Sequence, residues 1–261
     1  MFSKKMIYGF ISSLFLMSFS ASAADLNEIL KSGEVKIAVP EAFAPFGSVG
    51  KTGEHEGYDV DVAKLIAKDL GVKLKIVPVV SKQRIPFLET DKVDLVISTM
   101  GANPSRAKSI NFSSAYAPFY SGVFAPSSVK ISSYADLDGL TIGVTGGTLE
   151  DLELTKMAPK GAKITRFGDN AATLSAIKSK QVQVLVAGNT VAASVTEANP
   201  DFDLERKFII KDSPCFIGVK KGNEDLLRWV NVFILHKKLG GDLNKISLKW
   251  LGQDLPSLPS L

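Results

Sequence analysis

One cysteine and two histidines in 261 residues remove several kinds of chemistry at the outset. Cys215 has no partner for an internal disulfide. Its context, Pro214-Cys215-Phe216-Ile217, reads as a small buried residue rather than a reactive thiol. His55 and His236 lie far apart, and no HxH, HExxH or cysteine cluster accompanies them, so no metal and no other cofactor is expected. Ser-His-Asp, Cys-His and paired-carboxylate constellations are also missing from the ends of the expected strands. Glu41 and Glu150 are the nearest acids, and they read as a loop acid and a helix first-turn acid. No run of basic residues stands out. The formal net charge is only +4, which argues against nucleic acid or a polybasic membrane surface as partner. Long apolar runs are scarce too. Met6 to Phe19 is broken by Gly9, Ser12, Ser13 and Ser18 and is short for a membrane span.

That stretch follows Lys4 and Lys5 and precedes Ala21-Ser22-Ala23, the order of an export signal with its cut before Ala24. Residues 1–23 are therefore expected to be removed, leaving the mature chain in a bacterial periplasm and close to neutral. No cysteine sits at the cut to carry a lipid. Hydrophobic residues make up 45% of the chain, enough for a sizeable core in one domain or two.

Periodicity predicts a strand at Val35–Val39, a helix from Ala63 to Leu70 stopped by Gly71, and a strand at Val72–Val80. A short helix at Ile85–Thr90 and a strand at Val93–Ile97 follow. Asn111–Phe119 reads as a loop, and Gly122–Ala125 as a strand-like first crossover. The pattern then repeats: strands at 140–144, 163–167 and 182–186, with helices after Thr148, Asn170 and Thr190. Cys215–Val219 is a candidate return crossover, and two helices, the second bearing Trp250, close the chain. Two β-α-β-α-β halves imply an α/β fold of two lobes, each a mostly parallel sheet flanked by helices. The expected boundaries are 24–122 with 214–261 for lobe 1 and 123–213 for lobe 2. Two passages between lobes suit hinge closure on a small ligand.

One stretch organises the rest: Asp94-Leu-Val-Ile-Ser98-Thr99-Met-Gly101-Ala-Asn103-Pro104-Ser105-Arg106. A buried strand ends in small polar residues, and Asn103-Pro104 reads as a helix start. Loops at strand carboxyl ends are where open α/β sheets bind ligands. Arg106 there offers a fork matched to a carboxylate, the alternative being a solvated helix arginine.

Gly57-Tyr58-Asp59-Val60-Asp61-Val62-Ala63-Lys64-Leu65-Ile66-Ala67 resembles the signature of the family 3 extracellular solute-binding proteins, periplasmic receptors of polar amino acid ABC importers. Phe43-Ala44-Pro45-Phe46, Lys92-Val93-Asp94-Leu95, Asn103-Pro104-Ser105-Arg106, Asn111-Phe112-Ser113-Ser114-Ala115-Tyr116, Asp136 to Val144 and Lys249-Trp250-Leu251-Gly252 resemble further family motifs in the same order. The resemblance covers essentially the whole mature chain. It implies the two-lobed periplasmic binding protein fold with two hinge crossovers, an amino acid-like ligand, an inner-membrane ABC permease as partner, and a monomer. It implies that Arg106 clamps the ligand's carboxylate with help from Thr99 and Gly101; Ser98, at the same strand end, is a further candidate for the site. Phe43 would stack on the ligand, and Thr148 and Leu149 would offer N–H groups from the second lobe. A scaffold-sharing alternative is a periplasmic enzyme of the cyclohexadienyl dehydratase type; a sensor module acting through a separate partner is another.

The sequence departs from that pattern in one telling place. The family's Asp for the ligand's ammonium falls on Gly188 or Asn189, and neither is charged. Ser81 stands where many relatives have an aromatic, Pro40 where binders of basic amino acids often have Asp, and Gly101 lacks a common hydroxyl. Lys82 and Arg84 follow Ser81 and can raise the positive potential of the mouth. The expected ligand is anionic or small and polar.

Overall fold

The structure is a computed structural model, and it describes residues 26–198 and 201–259. The expected leader and its cut before Ala24 lie outside the described residues. Among the described residues no helix is long and apolar enough to cross a membrane.

The first lobe begins with α1 (Leu26–Ser32), β1 (Glu34–Pro40), a short ribbon of β2 (Ser48–Val49) and β3 (His55–Glu56), and α2 (Tyr58–Leu70). It continues with β4 (Lys73–Val79), α3 (Arg84–Glu89), β5 (Leu95–Gly101) and β6 (Ile110–Ala117). The second lobe comprises β7 (Tyr120–Ala125), β8 (Thr141–Thr145), α4 (Leu149–Met157), β9 (Lys163–Phe167), α5 (Asn170–Lys178), β10 (Val184–Gly188), α6 (Asn189–Ala198) and β11 (Glu205–Asp212). β12 (Cys215–Lys220), α7 (Glu224–Leu239) and α8 (Asp242–Leu251) return to the first.

The two sheets run β4-β1-β5-β12-β6 and β11-β7-β10-β8-β9. Each is a mixed sheet in which four of the five strands run the same way. Three adjacent strands in each pair in parallel, as β-α-β units require. β12 in the first sheet and β7 in the second run against them, while the edge strands β6 and β11 run with them. β5 is buried along its whole length because helices cover both faces of the sheet centre.

Two expectations change here. Asn111–Phe119 is not a loop: residues 110–117 form β6, paired with β12. Nor is Gly122–Ala125 a crossover, because β7 lies wholly in the second sheet from Tyr120 onward. Residues 120–122, expected in lobe 1, thus belong with lobe 2. β12 likewise lies inside the first sheet. The chain passes between sheets only at residues 118–119 and 213–214. These passages run side by side, since Cys215 pairs with Ala117 and Asp212 with Tyr120. The Ser213 N–H donates to the Phe119 carbonyl at 2.9 Å and joins them into one two-stranded hinge.

The two acids of the Gly57-Tyr58-Asp59-Val60-Asp61 stretch point different ways. Asp59 is buried beneath the cleft. Asp61 accepts from Lys249 Nζ at 2.6 Å and Trp250 Nε1 at 2.7 Å, tying α8 to α2.

Candidate functional site

Arg106 projects from a single 3-10 turn, Arg106–Lys108, not from the expected helix. β6 begins at Ile110, which leaves no chain for more turns. Asn103 still caps the turn, its Oδ1 accepting the Arg106 N–H at 2.8 Å. The guanidinium is largely buried and spans the cleft. Nη1 donates to the Gly101 carbonyl at 2.8 Å, in its own lobe. Nη2 donates to the Gly147 carbonyl at 2.9 Å, in the other. Burial pushes its pKa down, and Glu150 pulls it back up.

Around it lies a narrow interlobe cavity, with about 410 Å³ of free space once its solvent mouth is included. Its lining contains seven of the expected residues or their backbones: Phe43, Arg84, Thr99, Gly101, Arg106, Thr148 and Leu149. Arg84 is buried, with its Nε donating to Ser98 Oγ at 3.1 Å. Its terminal nitrogens have no hydrogen-bond partner among the described residues. Burial and then the neighbouring Arg106 push its pKa down to about 10, so it stays cationic at neutral pH. Two guanidiniums in one cavity attract an anion.

Three expected residues are placed otherwise. Ser98 is wholly buried behind Arg84 and orients it. Ser81 lines a smaller neighbouring hollow with Pro40, Glu41 and Asp169. Asn189 does not line the cavity, because its Oδ1 is taken by the Tyr120 N–H at 3.2 Å. The hydroxyls of two lining residues are also committed. Thr99 Oγ1 donates to Asp59 at 2.8 Å. Thr148 Oγ1 donates to the Thr145 carbonyl at 2.9 Å and accepts from Asp151 N–H at 3.2 Å, as a helix cap. Asp151 Oδ2 then reaches back to the Gly147 N–H at 3.0 Å, one residue before the position that a capping box would use. The first-turn N–H groups of Leu149 and Glu150 remain for a ligand, as at any helix start.

Several lining residues escaped the sequence reading. Phe119, on the first crossover, packs edge-on against Phe43 at 6.1 Å. Ser213, on the second, fills the space that a side chain at Gly101 would need: a Cβ there would come within 2.3 Å of Ser213 Oγ. The hydroxyl missing at 101 is thereby supplied from the hinge. Lys82 is exposed, yet it lies over the second lobe's loop. A Cβ at Gly146 would meet its Cε at 2.8 Å and one at Gly147 its Cγ at 2.8 Å. Cys215 is wholly buried, and burial pushes its thiol far up, so it stays protonated.

Asp59 is the buried acid beneath the site. Tyr116 OH donates to its Oδ1 at 2.6 Å and Thr99 to its Oδ2 at 2.8 Å. Burial pushes its pKa up from 3.8 to about 6, against the pull of those bonds and of Arg84. A folded pKa above the unfolded one means the folded state holds the proton longer. Its stabilising share is full below about pH 4 and is lost as pH rises through 6, roughly 3 kcal/mol in all. The ligand-free protein is expected to lose melting temperature between pH 4.5 and 7 by more than Asp59→Asn does. Parallel curves for the two proteins would refute that assignment.

Comparison with known proteins bears on the family and the fold. The family model of the bacterial extracellular solute-binding proteins, family 3, matches residues 35–253. The ABC transporter glutamine-binding protein GlnH of Bacillus subtilis (strain 168) is 30% identical over 207 residues, 78% of this chain and 75% of its own. The solute receptor for L-cysteine of Neisseria gonorrhoeae superposes with a TM-score of 0.81 at 32% identity, covering 87% of this chain and 94% of that one. AncCDT-1, an ancestral amino acid-binding protein and precursor of cyclohexadienyl dehydratase, gives 0.80 at 31%, covering 86% and 98%. This chain belongs to the bacterial extracellular solute-binding proteins, family 3.

Proposed function

We propose that the protein is a periplasmic receptor that binds a small polar amino acid or related carboxylate between its lobes, closes on it, and delivers it as a monomer to an ABC permease. The observation that carries this reading is Arg106, whose guanidinium reaches carbonyls of both lobes at 2.8 and 2.9 Å. A group that spans the cleft only when it is shut supplies the differential affinity that closure needs. The remaining donors of its fork, together with Leu149 N–H, suit a carboxylate. The unpartnered nitrogens of Arg84 favour an acidic or neutral polar ligand over a cationic one. The relatives described above, a glutamine-binding protein and a solute receptor for L-cysteine, support the amino acid class.

Binding rather than catalysis is supported by the relatives, which are binding proteins and receptors. The test is a calorimetric panel of the twenty amino acids and small dicarboxylates. Acidic or neutral polar members are expected to bind and to raise the melting temperature, while arginine and lysine bind at least about tenfold more weakly, the scale of one unfavourable charge. Absence of any binder in the panel, or turnover of prephenate or arogenate, would overturn the proposal.

A further inference from the structure

An amino acid in this cleft brings an ammonium as well as a carboxylate. A buried ammonium requires an acceptor, and a charged one holds it best. Position 188 does not provide it. Gly188 has no side chain, and a Cβ built there would fall 1.8 Å from Cζ of Phe119. The ring on the first crossover occupies the volume that an acid at 188 would use. Asn189 spends its carbonyl on Tyr120.

Among the described residues that line the cavity, Glu150 is the one acid. It is 5% exposed and sits in the first turn of α4, beside the N–H groups available for the carboxylate. Its Oε1 accepts from Ser121 Oγ at 3.0 Å. Ser121 is the residue directly opposite Gly188 in the antiparallel β7–β10 pair. Facing residues of such a pair lie on one side of the sheet with Cα atoms about 5 Å apart. A carboxylate carried by α4 is therefore held beside the position where β10 offers none. Its charge acts on both Arg84 and Arg106, but neither forms an ion pair with it among the described residues, so its oxygens are not locked to a guanidinium.

We infer that Glu150, positioned by Ser121, accepts the ammonium of the ligand in place of an acid at position 188. The ligand class is thereby an α-amino acid in its zwitterionic form, not the matching 2-oxo or 2-hydroxy acid. This rests on the proposed receptor function.

The test uses the best amino acid from the panel together with its 2-oxo and 2-hydroxy analogues, titrated into wild type, Glu150→Gln and Ser121→Ala. Wild type is expected to prefer the amino acid by at least about tenfold, the scale of one hydrogen bond to a charged group. Glu150→Gln is expected to lose about 10- to 100-fold for the amino acid while its affinity for the analogues stays level or improves. Ser121→Ala is expected to show the same selective loss, in smaller degree. Ligand-free melting curves establish that both variants are folded. Equal losses for amino acid and analogues, or unchanged affinity in Glu150→Gln, would overturn the assignment while leaving the receptor reading intact. A wild type that binds an analogue as tightly as the amino acid would overturn it as well. No amino acid binder at all would remove the receptor reading first.

Discussion

Arg106→Ala is expected to abolish ligand binding in a calorimetric titration, with affinity falling about 100-fold or more, the scale of stripping one partner from a buried charge pair. Two losses combine. The ligand's carboxylate forfeits a planar fork, and the shut cleft forfeits the bond from Nη2 to Gly147 at 2.9 Å. The second loss acts even without ligand, so the variant is also expected to sit more open in solution scattering. Arg106→Lys separates the two. An ammonium keeps the charge but cannot reach Gly101 and Gly147 together with a carboxylate, so an intermediate loss is expected. Affinity within a few-fold of wild type in Arg106→Ala would remove this residue from the site.

Arg106 was legible in the sequence because its setting is local. A β-branched run, small residues and Asn-Pro lie within a dozen positions, and each has a conformational meaning by itself. The alternation of strands and helices was legible for the same reason. β6 was not. Asn111-Phe112-Ser113-Ser114 looks like a loop because several of its polar groups find their partners far away in the chain. Ser113 Oγ accepts the Ile217 N–H at 2.9 Å, and Asn231 Oδ1 accepts the Ser114 N–H at 2.7 Å. Its pairing with β12 also slips register twice, which destroys a clean alternation. Membership of Tyr120 to Gly122 in the second sheet depends on partners in β10 and β11 some seventy residues and more away.

The ammonium pole shows the same division. The missing acid at 188 and 189 can be read from the chain. That Phe119 fills the space, that Ser213 restores a hydroxyl opposite Gly101, and that Glu150 is steered by Ser121 cannot, because each joins segments remote from one another in the chain. Glu150 reads locally as an acid in a helix first turn, which it also is. Its second role comes from the strand packed against that turn.

Gly57→Ala is expected to be the most damaging single methyl in the first lobe, costing about 3 to 5 kcal/mol and lowering the melting temperature by about 10 °C. Gly57 has φ 136, a backbone region open essentially to glycine. A Cβ there would also stand 2.2 Å from the Phe46 carbonyl oxygen and 2.7 Å from the Gly47 nitrogen, which are backbone atoms and cannot rotate aside. That carbonyl accepts the Asp59 N–H at 2.9 Å, and the Pro45 carbonyl accepts the Tyr58 N–H at 2.9 Å. Pushing the loop away breaks the bonds that start α2 and displaces Asp59, which holds the Thr99 hydroxyl at the cavity floor. Molecules that still fold are therefore expected to bind ligand more weakly as well. Gly53→Ala is the matched control. Gly53 has φ 84 with nothing within 4 Å of its Cβ position, so only the left-handed strain of about 1 kcal/mol applies. Equal melting shifts in the two variants would show that backbone angle alone, and not the packing of this turn on Phe46, fixes the start of α2.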